Sequence, residues 1–143
     1  MSKRFTLEQA TRLLPHMTVY LQEAIEQKAA YEEAEHEIQA FCQRVTVMGG
    51  MVVDHALNID SKNKRDEAAQ RLRAAVEAVQ SAGAQIKDLD TGLIDFLTLY
   101  RGVEVCLCWK LGEDAIEYWH STEEGFRGRK AIDGEFLANH KGD

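Results

Sequence analysis

The fold is decided by the stretch GLIDFLTLYRGVEVCLCWKL, residues 92–111. Its β-branched, aromatic and leucine side chains form two runs, Gly92–Tyr100 and Val103–Leu111, separated by an Arg-Gly turn. Such runs on either side of a two-residue turn predict a β-hairpin. A third run, Ala115–His120, follows a second turn, so we expect a three-stranded antiparallel β-meander.

The apolar pattern also predicts the register across the second turn. If Trp109 faces Tyr118, the large apolar side chains of the two strands share one face, whereas a slip of one residue scatters them. The side chains on that face are then Leu107, Trp109, Leu111, Ile116 and Tyr118. This register buries Trp109 and turns Trp119 to the opposite face, which makes Trp119 the candidate aromatic of a pocket or an interface.

The sequence ahead of the meander has helical periodicity. Thr6 and Gln9 form a capping-box pattern, which predicts a helix from about Leu7, with a kink or a restart at Pro15. Apolar residues then recur at spacings of three and four, and do so again in a second predicted helix from about Lys62 to Lys87, capped by Asp60 or Ser61. We therefore expect a long antiparallel helical hairpin.

The fold class predicted from these patterns is α+β. The helical hairpin, about residues 6–89, packs on the small three-stranded meander, about residues 92–121, because an isolated meander of this size is unstable in water. A turn and a polar, loosely held tail follow at residues 122–143. A chain of 143 residues suits one domain, residues 1–143. Residues 51–60 fit a loop or a helical lead-in equally well.

The charge and the hydropathy exclude several classes of protein. A formal net charge of -7 argues against nucleic acid as the main partner. No apolar run approaches the ~20 residues that span a bilayer, and the N-terminal residues lack the apolar stretch of a secretory signal. Together with the odd number of cysteines (Cys42, Cys106 and Cys108), this predicts a cytoplasmic protein with reduced thiols and no membrane partner.

Three ionisable residues near the meander are candidates for a ligand or metal site. Asp95 lies on the first predicted strand, His120 ends the third, and Glu124 follows four residues later. An imidazole and two carboxylates suit a divalent metal or an acid–base pair. The alternative is structural, with His120 bonded to a backbone carbonyl and Asp95 capping a turn. A metal is compatible with this set but not required by it, and no catalytic residue is identified.

The segment Gly125–Arg129 is a candidate anion site. Glycines let backbone N–H groups converge on an anion, and Arg127 and Arg129 offer forked donors to carboxylate or phosphate. The alternative is a tight turn in which Arg129 pairs with an acidic residue. Cys106 and Cys108 share one face of a strand, away from the meander histidine in the preferred register, so we expect buried, inert thiols.

Six short segments carry a further signal. They are FTLE (5–8), LLP (13–15), KDLDTGLIDF (87–96), VCLCWKLGE (105–113), YWH (118–120) and GFRGR (125–129). Together they resemble the DUF2203 family of small prokaryotic proteins, over nearly the whole chain. The resemblance implies no activity, substrate or cofactor, because none is established for the family. It concentrates the family signature in the meander and the GFRGR segment.

Two functions stay open at this point. The heptad-like helical stripes, and the lack of any nucleophile–base motif, favour a non-enzymatic module that forms a homo-oligomer or binds a protein partner. The alternative is a metal- or small-anion-binding protein, or a hydrolase, with its site on the meander near Asp95, His120 and Glu124. Whether the chain is an enzyme is not decided by the sequence.

Overall fold

The computed structural model describes residues 3–47 and 55–143. The chain divides into two compact units, one made of Met1–Gln22 with Val76–Asp143 and the other of Glu23–Ala75. The structure contains α-helices together with an antiparallel sheet, so the α+β class is confirmed. The assignment of the whole chain to one domain stays a prediction. No helix among the described residues is long and apolar enough to cross a membrane.

Among the described residues the sheet has six strands, where the sequence predicted three. The elements are α1 (Leu7–Val47), α2 (His55–Ser81), β1 (Gln85–Asp88), β2 (Leu93–Tyr100), β3 (Val103–Lys110), β4 (Tyr118–Ser121), β5 (Lys130–Ala131), α3 (Gly134–Asn139) and β6 (His140–Lys141). Strands β1 to β5 are neighbours in chain order, and β6 also pairs with β2. All pairs are antiparallel. The meander is therefore β2–β3–β4, and short strands extend it.

The start of α1 confirms the predicted capping box. The Oγ1 atom of Thr6 accepts from the backbone N–H of Gln9 at 3.1 Å, and the Oε1 atom of Gln9 accepts from the N–H of Thr6 at 3.0 Å. The helix continues through Pro15, so the restart allowed by the sequence does not occur. Pro15 and Thr11 are exposed, and the carbonyl of Thr11 that loses its helical partner can bond to water.

Within the unit Glu23–Ala75, the two helices lie antiparallel. The hydroxyl of Ser61 donates to Oε2 of Glu37 at 2.7 Å, and Nη1 of Arg65 donates to Oε1 of Glu35 at 3.2 Å. Contacts thus move back along α1 as they move forward along α2. Ser61 lies inside α2 and is not the cap of a helix beginning near Lys62, because its hydroxyl is bound to the neighbouring helix instead.

The second helix also ends earlier than predicted. Gly83 adopts a φ of +105°, and a Cβ atom there would lie 2.8 Å from the ring of Phe5, so glycine ends the helix at this point. The following residues pair with β2 as β1 instead of continuing the helix to Lys87. Of the ambiguous stretch, residues 55–60 are helical, and residues 51–54 lie outside the described part.

The β2–β3 hairpin has the predicted two-residue turn. Tyr100 pairs with Val103, and the turn residues Arg101 and Gly102 have φ angles of 52° and 78°. Positive φ at both positions is typical of a type I′ turn, whose twist suits antiparallel strands.

The β3–β4 register differs from the prediction by one residue. Tyr118 pairs with Cys108 and not with Trp109, and Trp119 pairs with Leu107. Trp119 therefore lies on the same sheet face as Leu107 and Trp109, so the prediction that it turns to the opposite face is wrong. Tyr118 lies on that other face.

The reason for the shift is a connection that is longer than a tight turn. The strands end at Lys110 and resume at Tyr118. Glu113 folds the connection back on β3, because its carbonyl accepts from Nε1 of Trp109 at 3.1 Å and its carboxylate accepts from the N–H of Lys110 at 2.7 Å. Such a loop does not fix the register in the way that a two-residue turn does.

One face of the sheet packs into the apolar core of its unit. The buried residues of this core come from the start of α1, the end of α2, the sheet and α3. They are Phe5, Ala10, Leu14, Met17, Leu21, Val79, Ala84, Ile94, Phe96, Val105, Leu107, Trp109, Ile116 and Phe136. In β2 and β3 the residues buried in this core occupy alternate positions, as expected when one face of a sheet packs against a core.

The tail is ordered, so the prediction of a loosely held segment is wrong. Asp133 caps α3 by accepting from the N–H of Phe136 at 2.8 Å, and Phe136 is buried in the core. His140 then accepts from the N–H of Leu7 through Nε2 at 3.0 Å, at the first turn of α1. The buried ring of Phe136, the helix cap and the pairing of β6 with β2 together hold this polar segment.

Candidate metal centre

Three neighbouring strands each bring one polar side chain to the sheet face opposite the apolar core. Asp95 of β2 pairs with Cys108 of β3, and Cys106 of β3 pairs with His120 of β4. Paired residues and residues two apart share a face, so Asp95, Cys106 and His120 lie together. They are 1%, 3% and 2% exposed.

The side-chain atoms of this cluster are close enough to share one metal ion. One donor atom from each of Asp95, Cys106 and His120 lies within 4.8 Å of the other two. The closest pair is Nε2 of His120 with Oδ1 of Asp95, at 3.1 Å. Ligands of a tetrahedral Zn²⁺ ion, with bonds of about 2.0–2.3 Å, lie roughly 3–4 Å apart. Small side-chain movements would therefore complete such a site.

The ring of His120 is held with one nitrogen facing the cluster. Its Nδ1 atom lies 2.7 Å from the backbone carbonyl of Ser121. A carbonyl can only accept, so Nδ1 carries a proton and donates it. A ligating histidine typically has this arrangement, because the bond fixes the ring and leaves Nε2 for the metal.

One oxygen atom of Asp95 has only weak hydrogen-bond donors beside it. Its Oδ1 atom faces His120, whereas Oδ2 is buried with no N–H or O–H donor among the described residues, and the thiols of Cys106 and Cys108 are the donors next to the carboxylate. A buried carboxylate oxygen beside thiols alone is costly, since such weak donors compensate its desolvation poorly. A cation bound at the cluster would supply a stronger interaction.

The thiols beside Asp95 are protonated in the absence of a cation. Burial, and then the negative charge of Asp95, raises the pKa of Cys106 to about 12 and that of Cys108 likewise to about 12. Both cysteines are buried, as predicted. A metal ion reverses this balance, because a coordinating thiol loses its proton to become a thiolate.

A pocket of about 140 Å³ leads to the cluster. Asp95, Cys106 and His120 line it on the sheet side. The other lining residues are Lys87, Leu93, Thr122, Glu124, Gly125 and Phe126. The cluster is therefore buried by the segment that follows β4, yet it borders a space large enough for small molecules.

Comparison with known proteins places the chain in a family. A family model described as "Uncharacterized conserved protein (DUF2203)" matches residues 3–132. The chain belongs to the DUF2203 family. No curated protein and no solved structure matches it. The matched range contains the whole cluster and every residue that lines its pocket.

Glu124 of this DUF2203 protein lies at the pocket rim and not in the buried cluster. Its Oε1 atom accepts from Nζ of Lys130 at 3.1 Å and from the N–H of Ser121 at 3.3 Å. The hydrogen bond from Lys130, followed by those from Ser121, lowers the pKa of this exposed carboxyl group. The structure thus brings Asp95 and His120 together and leaves Glu124 in the pocket wall.

The two arginines proposed for anion binding have different surroundings. Arg129 is largely buried, donates to Oε1 of Glu113 at 2.7 Å, and lies over the rings of Tyr118 and Phe126. Burial acts to lower the pKa of Arg129, but the hydrogen bond to Glu113 and the interactions with Cys108, Glu113 and Tyr118 together raise it. Arg127 is exposed within a short 3₁₀ helix, Phe126–Gly128. Arg129 therefore pairs with an acidic residue, which is the alternative to anion binding that the sequence allowed.

Trp119 of the DUF2203 protein belongs to an aromatic stack. Its ring centroid lies 5.1 Å from that of Tyr100 and 5.0 Å from that of Phe136, and Nζ of Lys130 lies over it at 4.8 Å. It is half-buried and does not line the pocket of the cluster. Its role as an interface aromatic stays a prediction.

Cys106 belongs to the cluster, although the sequence predicted it to be an inert buried thiol. The expected register turned His120 away from both strand cysteines, whereas the observed register pairs Cys106 with His120 directly. The sequence did contain a signal for Cys106. With the two-residue turn at Arg101 and Gly102, the alternation of side chains along β2 and β3 places Asp95 and Cys106 on the same face of the sheet.

Proposed function

We propose that this protein binds one divalent transition metal ion of the Zn²⁺ class through Asp95, Cys106 and His120. The observation that carries the proposal is the buried group of three donor atoms within 4.8 Å of one another. A carboxylate, a thiolate and an imidazole together favour Zn²⁺ over hard cations such as Mg²⁺ or Ca²⁺. The fixed ring of His120 and the poorly compensated oxygen of Asp95 support the same conclusion.

The geometry supports metal binding better than covalent catalysis by a thiolate. A cysteine nucleophile needs a histidine nitrogen free to accept its proton and a lowered pKa. Here Nδ1 of His120 bonds to Ser121 and Nε2 faces Asp95, while the pKa of Cys106 is raised to about 12. Both requirements are unmet without a cation.

Three protein ligands leave a fourth position on a tetrahedral ion for water or substrate. Catalytic zinc sites have this composition, whereas structural sites are closed by four protein ligands. The pocket gives that fourth position a route to small molecules. A hydrolytic activity is compatible with a metal-bound water in this place. The predicted cytoplasmic location, with its reducing conditions, would keep Cys106 available as a ligand.

Cobalt substitution tests the proposal directly. We expect the protein to bind one equivalent of Co²⁺ and to show a thiolate-to-cobalt charge-transfer absorption, because Cys106 would ligate the ion. The Cys106→Ser variant should lose this absorption. Spectra recorded during a Co²⁺ titration, with native mass spectrometry for the stoichiometry, provide the measurement.

The chain offers two matched controls for this experiment. Cys42 is exposed and lies in the other unit, so Cys42→Ser should leave the absorption unchanged. Cys108 is buried two residues from Cys106 but is outside the group of three donor atoms, so Cys108→Ser should also retain it. Absence of Co²⁺ uptake, or an unchanged band in Cys106→Ser, would overturn the proposal.

Self-association or binding of a protein partner through the helices stays a prediction. Val47 and Ile59 are exposed in the unit Glu23–Ala75, at 86% and 58%, and offer apolar surface. Leu21, by contrast, is fully buried in the core of the first unit. A polar substitution at Leu21 would therefore unfold that core and would not report on association.

A further inference from the structure

The pocket beside the metal centre has one basic side chain in its lining. Lys87 of β1 lines it together with Asp95, Cys106 and His120. Among the residues that the structure describes, no ion pair or hydrogen bond engages its ammonium group, and its side chain is exposed. Its positive charge acts to lower the pKa of Cys106, so it lies near enough to influence the cluster.

The backbone of β1 directs Lys87 towards this pocket. Ile86 pairs with Ile94 and Asp88 pairs with Leu93, so Lys87 is the extra residue of a β-bulge. Bulges are frequent next to functional sites, because the extra residue re-aims a side chain. Gln85, two residues earlier, pairs with Asp95, which indicates that this strand face is the one that carries the cluster.

The negative charge at the rim is already balanced. Glu124 lines the pocket, but its carboxylate is bound to Lys130 and to the N–H of Ser121. Within the described lining, Lys87 is thus the basic group left to bind a ligand, and Thr122 adds a hydroxyl group. Leu93 and Phe126 form apolar walls, which strengthen charge interactions by excluding water.

The volume of the pocket admits a small ligand. A space of about 140 Å³, where one water molecule needs ~10–15 Å³, is enough for a carboxylate or phosphate group. A metal ion held by the cluster would offer an open position to an anionic oxygen, and the ammonium group of Lys87 favours an oxyanion as well.

We propose that the pocket binds a small oxyanion, a carboxylate or phosphate group, that bridges the open position of the metal and the ammonium group of Lys87. This inference rests on the proposed metal site. It names the substrate class of that site: small anionic compounds, or the single anionic group of a larger compound that remains outside the pocket. Lys87 is then a binding residue and not a metal ligand.

The test uses protein loaded with one equivalent of Co²⁺ at fixed ionic strength. Inorganic phosphate and acetate are titrated in turn, with the visible cobalt spectrum and calorimetry as readouts. We expect saturable one-to-one binding of at least one of them. Acetamide has the shape of acetate without the charge, and it should not bind.

The variant that isolates the inference is Lys87→Gln. Losing a charge-assisted hydrogen bond should weaken oxyanion binding by about ten- to hundredfold. The thiolate-to-cobalt absorption should be unchanged, because no ligand of the metal is altered. Lys62→Gln, at an exposed position of α2, removes the same charge elsewhere and should leave oxyanion binding unaffected.

The outcomes separate this inference from the metal proposal. If Co²⁺ binds through Cys106 but neither anion perturbs the spectrum, or if Lys87→Gln binds them as well as the unaltered protein, the oxyanion site is overturned and the metal site stands. If Co²⁺ does not bind, both proposals fail. Binding of acetamide as tight as that of acetate would show a pocket selective for shape and not for charge.

Discussion

The two faces of the β2–β4 sheet are equally buried but chemically opposite. On one face Phe96 and Leu107 are 0% exposed and pack into the apolar core. On the other, Asp95 and His120 are 1% and 2% exposed and face each other beside a thiol. The same three strands therefore present a hydrocarbon layer and a group of polar donor atoms, separated by the thickness of one sheet.

Only the apolar face is explained by its contribution to stability. Apolar burial stabilises a fold by about 25 cal/mol per Å² of surface removed from water. Burying an ionisable pair carries a desolvation cost that can exceed the attraction between the two groups. Replacing such a pair by apolar residues is therefore often neutral or stabilising. The Asp95–His120 pair is therefore poorly explained by stability, and this supports the metal site proposed above.

Phe96→Ala should have the largest effect, because it breaks the apolar face. We expect a loss of about 3–5 kcal/mol in the free energy of unfolding, as for other large-to-small changes in a core. Urea unfolding followed by circular dichroism measures it. The control is Val103→Ala on the same sheet, where the side chain is 64% exposed and the change should be under about 0.5 kcal/mol. A loss near that of the control would refute the core assignment of Phe96.

Zn²⁺ should stabilise the protein through the polar face alone. At a free concentration a hundred times the Kd, an ion that binds only the folded state adds about 2.7 kcal/mol to the free energy of unfolding. Asp95→Asn should abolish this gain, while Asp114→Asn, at an exposed turn position, should keep it. Urea unfolding with Zn²⁺ and with chelator gives both values. A gain that survives in Asp95→Asn would remove Asp95 from the metal site.

Glu124→Gln should have the smallest effect, because its carboxylate is at the exposed rim. Lys130 lowers the pKa of Glu124 from 4.5, so the pair contributes stability above that pH and loses it as pH falls through the lowered value. The variant should thus be slightly less stable at neutral pH and equal in acid, with unchanged Co²⁺ uptake. Loss of Co²⁺ uptake would instead make Glu124 a fourth ligand and weaken the contrast between rim and cluster.

The sequence predicted the parts of the fold that local chemistry determines. The Thr6–Gln9 capping box and the turn at Arg101–Gly102 each depend on a few neighbouring residues, and both are confirmed. The strands β5 and β6 have only two residues each, too short for any alternation to be visible. Their positions depend on tertiary contacts, such as the burial of Phe136.

The candidate site was predicted only in part, because its assembly also depends on tertiary contacts. Residue type and position on the predicted strands suggested Asp95 and His120, and the structure brings them to 3.1 Å. Cys106 was set aside because the register of β4 was inferred from the apolar pattern, and this gave Tyr118 the wrong partner. The interactions of Glu113 decide that register, and they connect atoms that no periodicity in the sequence relates.

The contacts of the tail with the start of α1 bring the two ends of the described chain together. The N–H of Asp143 donates to the carbonyl of Arg4 at 3.3 Å, and His140 accepts from Leu7. A short peptide linker could therefore join residue 143 to residue 3. A chain made circular in this way would keep its native contacts, while its unfolded ensemble would lose the entropy of two free ends.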